Sequence, residues 1–129
     1  MTGVTVTYFL VVADQERARD WYVRVFDAEV ARERDPVIVR LFGATIILNA
    51  GGGPTPDKPE VHLAPPDDPA RTSAFLNLRV DDIVDVHHRW SERGARFLTE
   101  PIDRGPEIRA FLRDPDGHLI EVGQAKQRP

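Results

Sequence analysis

Near its start the chain reads Leu10-Val11-Val12-Ala13-Asp14, and this lines up with Leu78-Arg79-Val80-Asp81-Asp82 further on. The strand pattern after Gly43 likewise lines up with the one after Gly117. A divergent internal repeat constrains the fold more than any single motif, because each copy is one supersecondary unit with a half-covered sheet. Two such units side by side are expected to curl their sheets around a shared concave surface.

Within the first copy, residues 4–12 are almost wholly β-branched or aromatic and read as a strand. Asp14 stands where a helix N-cap belongs, and Glu16 adds negative charge to the first turn. Ala18, Trp21, Tyr22, Val25 and Phe26 recur at helical spacing. Strands are predicted over 29–34, 37–42 and 45–49, the first two separated by Asp35-Pro36. The second copy repeats the plan: a strand over 74–80, an N-cap at Asp82, and a helix with Ile83, Val86, His87 and Trp90 inward that ends at Gly94. Strands over 96–99, 108–112 and 118–122 follow. The predicted class is therefore α+β, one domain of two βαβββ modules (about 4–49 and 74–123) with helices outside a curved, cleft-bearing sheet. Residues 50–72 form the linker, with Gly51-Gly52-Gly53 and six of the eleven prolines. Within it, Val61-His62-Leu63 has the composition of a short edge strand.

At 129 residues the chain is long enough to bury a core without staples. A net charge of −4 with no Lys/Arg block argues against nucleic acid or an anionic membrane as partner. The absence of cysteine excludes disulfides, thiolate metal sites and a cysteine nucleophile. The longest apolar runs are too short to span a bilayer and no signal-peptide pattern opens the chain, so a cytoplasmic protein is expected.

Side chains alternate faces along a strand, and this separates core from cleft. Leu76, Leu78 and Val80 share an aliphatic face that belongs under the helices, whereas Phe75, Asn77 and Arg79 share a mixed one. On the last strand Ile120 and Val122 point one way, Leu119 and Glu121 the other. Alignment of the repeats adds Thr7, Phe9 and Val11, and Thr45, Ile47 and Asn49, to the mixed face; Arg109 and Phe111 are candidates for it. A Glu between aliphatic neighbours is either buried with a partner (Arg79, Arg109 or Arg113) or aimed into a cavity. A cation beside Glu121 would lower its pKa; a setting against Phe75 and Phe111 without one would raise it.

The closing motif, residues 113–122, reads Arg-Asp-Pro-Asp-Gly-His-Leu-Ile-Glu-Val. Its first half is turn chemistry, with Pro115 presetting φ and Gly117 tolerating positive φ. With the paired βαβββ units it resembles the vicinal oxygen chelate superfamily, which includes glyoxalases, extradiol dioxygenases and bleomycin-resistance proteins, and the resemblance runs from about residue 4 to 123. That fold hosts isomerases, dioxygenases, thiol transferases and metal-free binders. In the metal-dependent members, His or Glu from the equivalent strands converge on one divalent ion, and the resemblance places those positions at Thr7, Ile47, Phe75 and Glu121. Only Glu121 is a strong donor, short of the three or so such an ion requires, so no metal and no cofactor are expected. His62 is either a solvated loop residue or a ligand; His87 is expected inside the second helix, His88 outside, and His118 on the face opposite Glu121.

The leading expectation is a metal-independent protein of the bleomycin-resistance type. It would bind a small, partly aromatic or cationic molecule with Thr7, Phe9, Ile47, Phe75, Asn77, Arg79, Arg109, Phe111 and Glu121. The alternative is a lyase, isomerase or dioxygenase in which Glu121 transfers a proton, with or without a metal completed by His62. The resemblance also implies a homodimer.

Overall fold

A computed structural model of the chain describes residues 2–126. It is mixed α+β with two sheets, and it divides into two compact units between Asp67 and Asp68.

The first unit holds β1 (Tyr8–Val11), α1 (Gln15–Phe26), β2 (Glu29–Arg32), β3 (Val37–Leu41) and β4 (Ala44–Asn49). Its sheet runs β1-β4-β3-β2, with β1 parallel to β4 and the other pairs antiparallel. The Asp14 carboxylate caps α1 by accepting from the Arg17 N–H at 3.0 Å. From the same turn the Gln15 side-chain oxygen accepts from the Asp35 and Val37 N–H groups at 3.0 and 3.1 Å. That pair of bonds ties the start of the helix to the β2–β3 connection. Ala18, Trp21, Tyr22, Val25 and Phe26 are buried, as are Leu10, Val12, Val37, Val39, Leu41, Ile46 and Leu48, so α1 covers the aliphatic face of its sheet. Within the helix Trp21 meets Tyr22 and Phe26 edge-on, with ring centroids 4.9 and 5.2 Å apart.

The second unit holds β5 (Leu76–Arg79), α2 (Ile83–Glu92), β6 (Arg96–Phe97), β7 (Ile102–Asp103), β8 (Glu107–Arg113) and β9 (Leu119–Ala125). The sheet runs β5-β9-β8-β6, with β7 also on β8, and β5 is parallel to β9. Asp82 caps α2 through the Asp85 N–H at 3.1 Å, and Gly94 follows its end with φ +102°. Ile83 and Trp90 of α2 are buried, as are Ala110, Leu112, Ile120 and Val122 on the sheet. His87 is inward as expected, its ring 4.2 Å from that of Phe97 and its Nε2 3.3 Å from the Thr99 carbonyl oxygen; His88 is exposed.

The observed elements depart from the expected ones in three places. Residues 4–7 have strand composition but do not join the sheet: the β1 ladder begins at Tyr8 opposite Ile46, and Val6 is 88% exposed. Composition made them competent to pair; it did not provide a partner. The strand expected over 96–99 shrinks to β6, and a further short strand, β7, joins the same edge of β8 beyond it. The Leu98 N–H still reaches the Phe111 carbonyl at 2.8 Å, but Pro101 has no N–H to continue the ladder. Residues 61–63 form no sheet strand; Leu63 instead makes an isolated antiparallel bridge with Gly52, inside the linker itself. No helix among the described residues is long and apolar enough to cross a membrane.

Candidate binding face

The face of the second sheet away from α2 is built from three strands in register. Phe111, Glu121 and Asn77 form one row across β8, β9 and β5; Arg109, Gly123 and Arg79 form the next. Alternation along β8 places Glu107, Arg109, Phe111 and Arg113 on this same side, opposite the buried Ala110 and Leu112. Phe75 lies one residue before β5, and its ring is 6.2 Å from that of Phe111, tilted by 70°.

Glu121 is 6% exposed, and its Oε1 accepts from the Asn77 amide at 3.1 Å. The Arg79 guanidinium lies over Gly123, where a Cβ would come within 2.1 Å of Nη1. From there Arg79 donates through Nη2 to Glu107 at 3.1 Å and through Nη1 to the Asn77 side-chain oxygen at 3.4 Å. With no side chain at Gly123, Glu107 and Glu121 reach each other across the intervening row and hydrogen-bond. Burial raises the Glu121 pKa above the usual glutamate value, and the hydrogen bond and charge of Glu107 add to this against the weaker pull of Arg109 and Arg79. The hydrogen bond from Arg79 lowers that of Glu107. Of the two carboxyls, Glu121 is thus the one shifted toward its protonated form and Glu107 the one shifted toward its ionised form.

One member of this cluster, Glu107, escaped the sequence. The partners of Glu121 are Asn77 and Glu107, not a salt-bridging arginine, and Glu107 lies one residue outside the strand expected over 108–112. Its parity with Arg109 and Phe111 was the available signal. Arg113 was considered only as a counter-ion for Glu121, whereas its buried Nε has no hydrogen-bond partner. Arg109 approaches Glu107 only to 3.9 Å.

In the first unit Phe9 and Ile47 pair in register across β1 and β4, on the side away from the buried Leu10, Ile46 and Leu48. Thr7 precedes β1 and is exposed, and His62 is an exposed residue of the linker. The four positions that a divalent ion would use by family resemblance do not fit one. Ile47 and Phe75 carry no donor atom, Thr7 offers a neutral hydroxyl, and Glu121 is committed to Asn77 and Glu107. Among the described residues no three His, Asp or Glu side chains gather where they could hold a metal.

Over 55 residues the chain is 36% identical to lactoylglutathione lyase of Pseudomonas aeruginosa, a match taking in 43% of this chain and 31% of the length of that enzyme. Among solved structures, TnmS3, an antibiotic binding protein from Streptomyces sp. CB03234, superposes with a TM-score of 0.69 at 23% identity, over 98% of this chain and 100% of its own. TioX from Micromonospora sp. ML1 superposes with a TM-score of 0.72 at 22% identity, over 95% of this chain and 99% of its own. These two likenesses concern the fold. The family model described as Glyoxalase/Bleomycin resistance protein/Dioxygenase superfamily matches residues 4–122, nearly the whole chain, and the protein belongs to that superfamily.

Proposed function

We propose that this protein is a metal-independent binder of a small, partly aromatic or cationic molecule, of the bleomycin-resistance type, acting in the cytoplasm as a homodimer. The observation that carries this reading is the second unit's open face, where the Phe75 and Phe111 rings stand beside a buried, hydrogen-bonded carboxylate. Such a face offers stacking area together with a few placed polar groups, the usual composition of a small-molecule site. Thr7, Phe9 and Ile47 of the first unit are likewise proposed as ligand-binding residues. The likeness in fold to TnmS3, an antibiotic binding protein, supports the analogy.

Calorimetric titration with a panel of planar aromatic antibiotics, with and without EDTA, tests the reading. Saturable one-site binding that chelator leaves unchanged is expected, and Phe111→Ala should weaken it about tenfold. Binding that EDTA abolishes, or a panel in which nothing binds, would overturn it.

The carboxylate pair favours one second reading, an enzyme in which Glu121 transfers a proton, since a raised pKa suits a general acid or base. Mass spectrometry of the bound compound separates the two. A turned-over ligand, with turnover lost and binding kept in Glu121→Gln, would establish catalysis.

A further inference from the structure

The open face of the second sheet carries more hydrogen-bond donors than acceptors. Along one side of β8 stand Arg109 and Arg113, flanking Phe111. The Arg113 Nε is buried without a hydrogen-bond partner, an unfavourable position for a polar group. The Arg109 guanidinium makes no hydrogen bond among the described residues, and its one ion pair, to Glu107, is stretched to 3.9 Å. The acceptors that would balance them are occupied. Glu107 takes Arg79 at 3.1 Å, and Glu121 takes the Asn77 amide and faces Glu107. A cationic ligand arriving here would meet two under-used guanidinium groups and no free carboxylate. A ligand with an oxyanion would complete Arg109.

We propose that the ligand of this face is a planar aromatic acid, its ring against Phe75 and Phe111 and its carboxylate or phenolate oxygen held by the Arg109 guanidinium. This rests on the reading of the face as a binding face and chooses between the two ligand classes that reading allows. A guanidinium is suited to the task because its planar fork meets an oxyanion with two parallel hydrogen bonds while its flat side tolerates an aromatic neighbour. Phe111 sits two residues along the same side of the strand, about 7 Å away, which is the span from an aromatic ring to its acidic substituent.

The test is a titration followed by amide chemical shifts, with three probes of one ring system: naphthoate, naphthamide and naphthylmethylamine. Naphthoate is expected to bind at least tenfold more tightly than either of the others, shifting the amides of Phe75, Arg109 and Phe111. Arg109→Gln should reduce naphthoate to the level of naphthamide, while Arg109→Lys should retain part of the preference. Because the comparison among probes is made on the unaltered protein, it does not depend on how any variant folds. Equal binding of acid and amide, tightest binding of the amine, or shifts mapped away from β8 would overturn the proposal and leave the binding face in place. Failure of all three probes to bind would overturn the face and the proposal together.

Discussion

Glu121 shows how one carboxylate gains a pH signature from its surroundings. Its folded pKa lies above the usual value of 4.5, so the folded chain retains a proton that the unfolded chain releases. Stability is therefore fullest below that usual value and falls as pH rises through the window up to the raised pKa. Glu107 has the opposite sign: lowered by Arg79, it contributes stability above its usual value that is lost on acidification. Glu121→Gln removes only the first effect, so urea melts from about pH 4 to about pH 8 should show the variant gaining on wild type as pH rises. A difference that does not change with pH would mean that Glu121 is not the titrating group. Asp114, buried in the closing turn, accepts from the N–H groups of Asp116 and His118, both at 2.9 Å. Asp114→Ala strands both donors and should cost about 2–4 kcal/mol in the same melts. At Gly123 an added Cβ would strike the far end of Arg79, which can swing aside. Gly123→Ala is thus expected to fold, to release Arg79 from Glu107, and to bring the Glu107 pKa back toward its usual value, readable by carboxyl NMR. An acid among aliphatic neighbours marked Glu121 in the sequence; nothing local marked Glu107, because its role depends on a gap left by a glycine in the adjacent row of a neighbouring strand.

The helices were legible because their determinants are local. Asp14 and Asp82 precede apolar residues at helical spacing, and both carboxylates accept from the third residue beyond them. Asp14→Ala and Asp82→Ala should each lower stability by about 1 kcal/mol, with Asn at either site restoring most of it, by thermal melts. The edge strands were less legible. Residues 4–7 and 96–99 both carry strand composition, but a strand exists only where another backbone pairs with it. Pro101 and the late start of the β1 ladder decide those two cases. The linker bridge between Gly52 and Leu63 depends likewise on a return of the chain that composition does not announce.

The internal repeat was the most informative property of the whole molecule, since βαβ opens both units and both end in antiparallel strands. What the repeat did not reveal is the order within each sheet, where the first strand of a unit lies parallel beside its last. The two modules are proposed to act as one domain; calorimetry should then show a single transition whose van't Hoff and calorimetric enthalpies agree, and two resolved steps would separate them.

That strand order also bears on how the protein is made. Each sheet closes by setting its earliest strand beside its latest, and in the second unit β9 lies between β5 and β8, while Asn77 and Glu121 are 44 residues apart. A ribosome can release the first unit complete once β4 has cleared the exit tunnel. The second must wait with an open seam between β5 and β8 until β9 emerges and fills it, so the carboxylate cluster is the last part of the molecule to come into being.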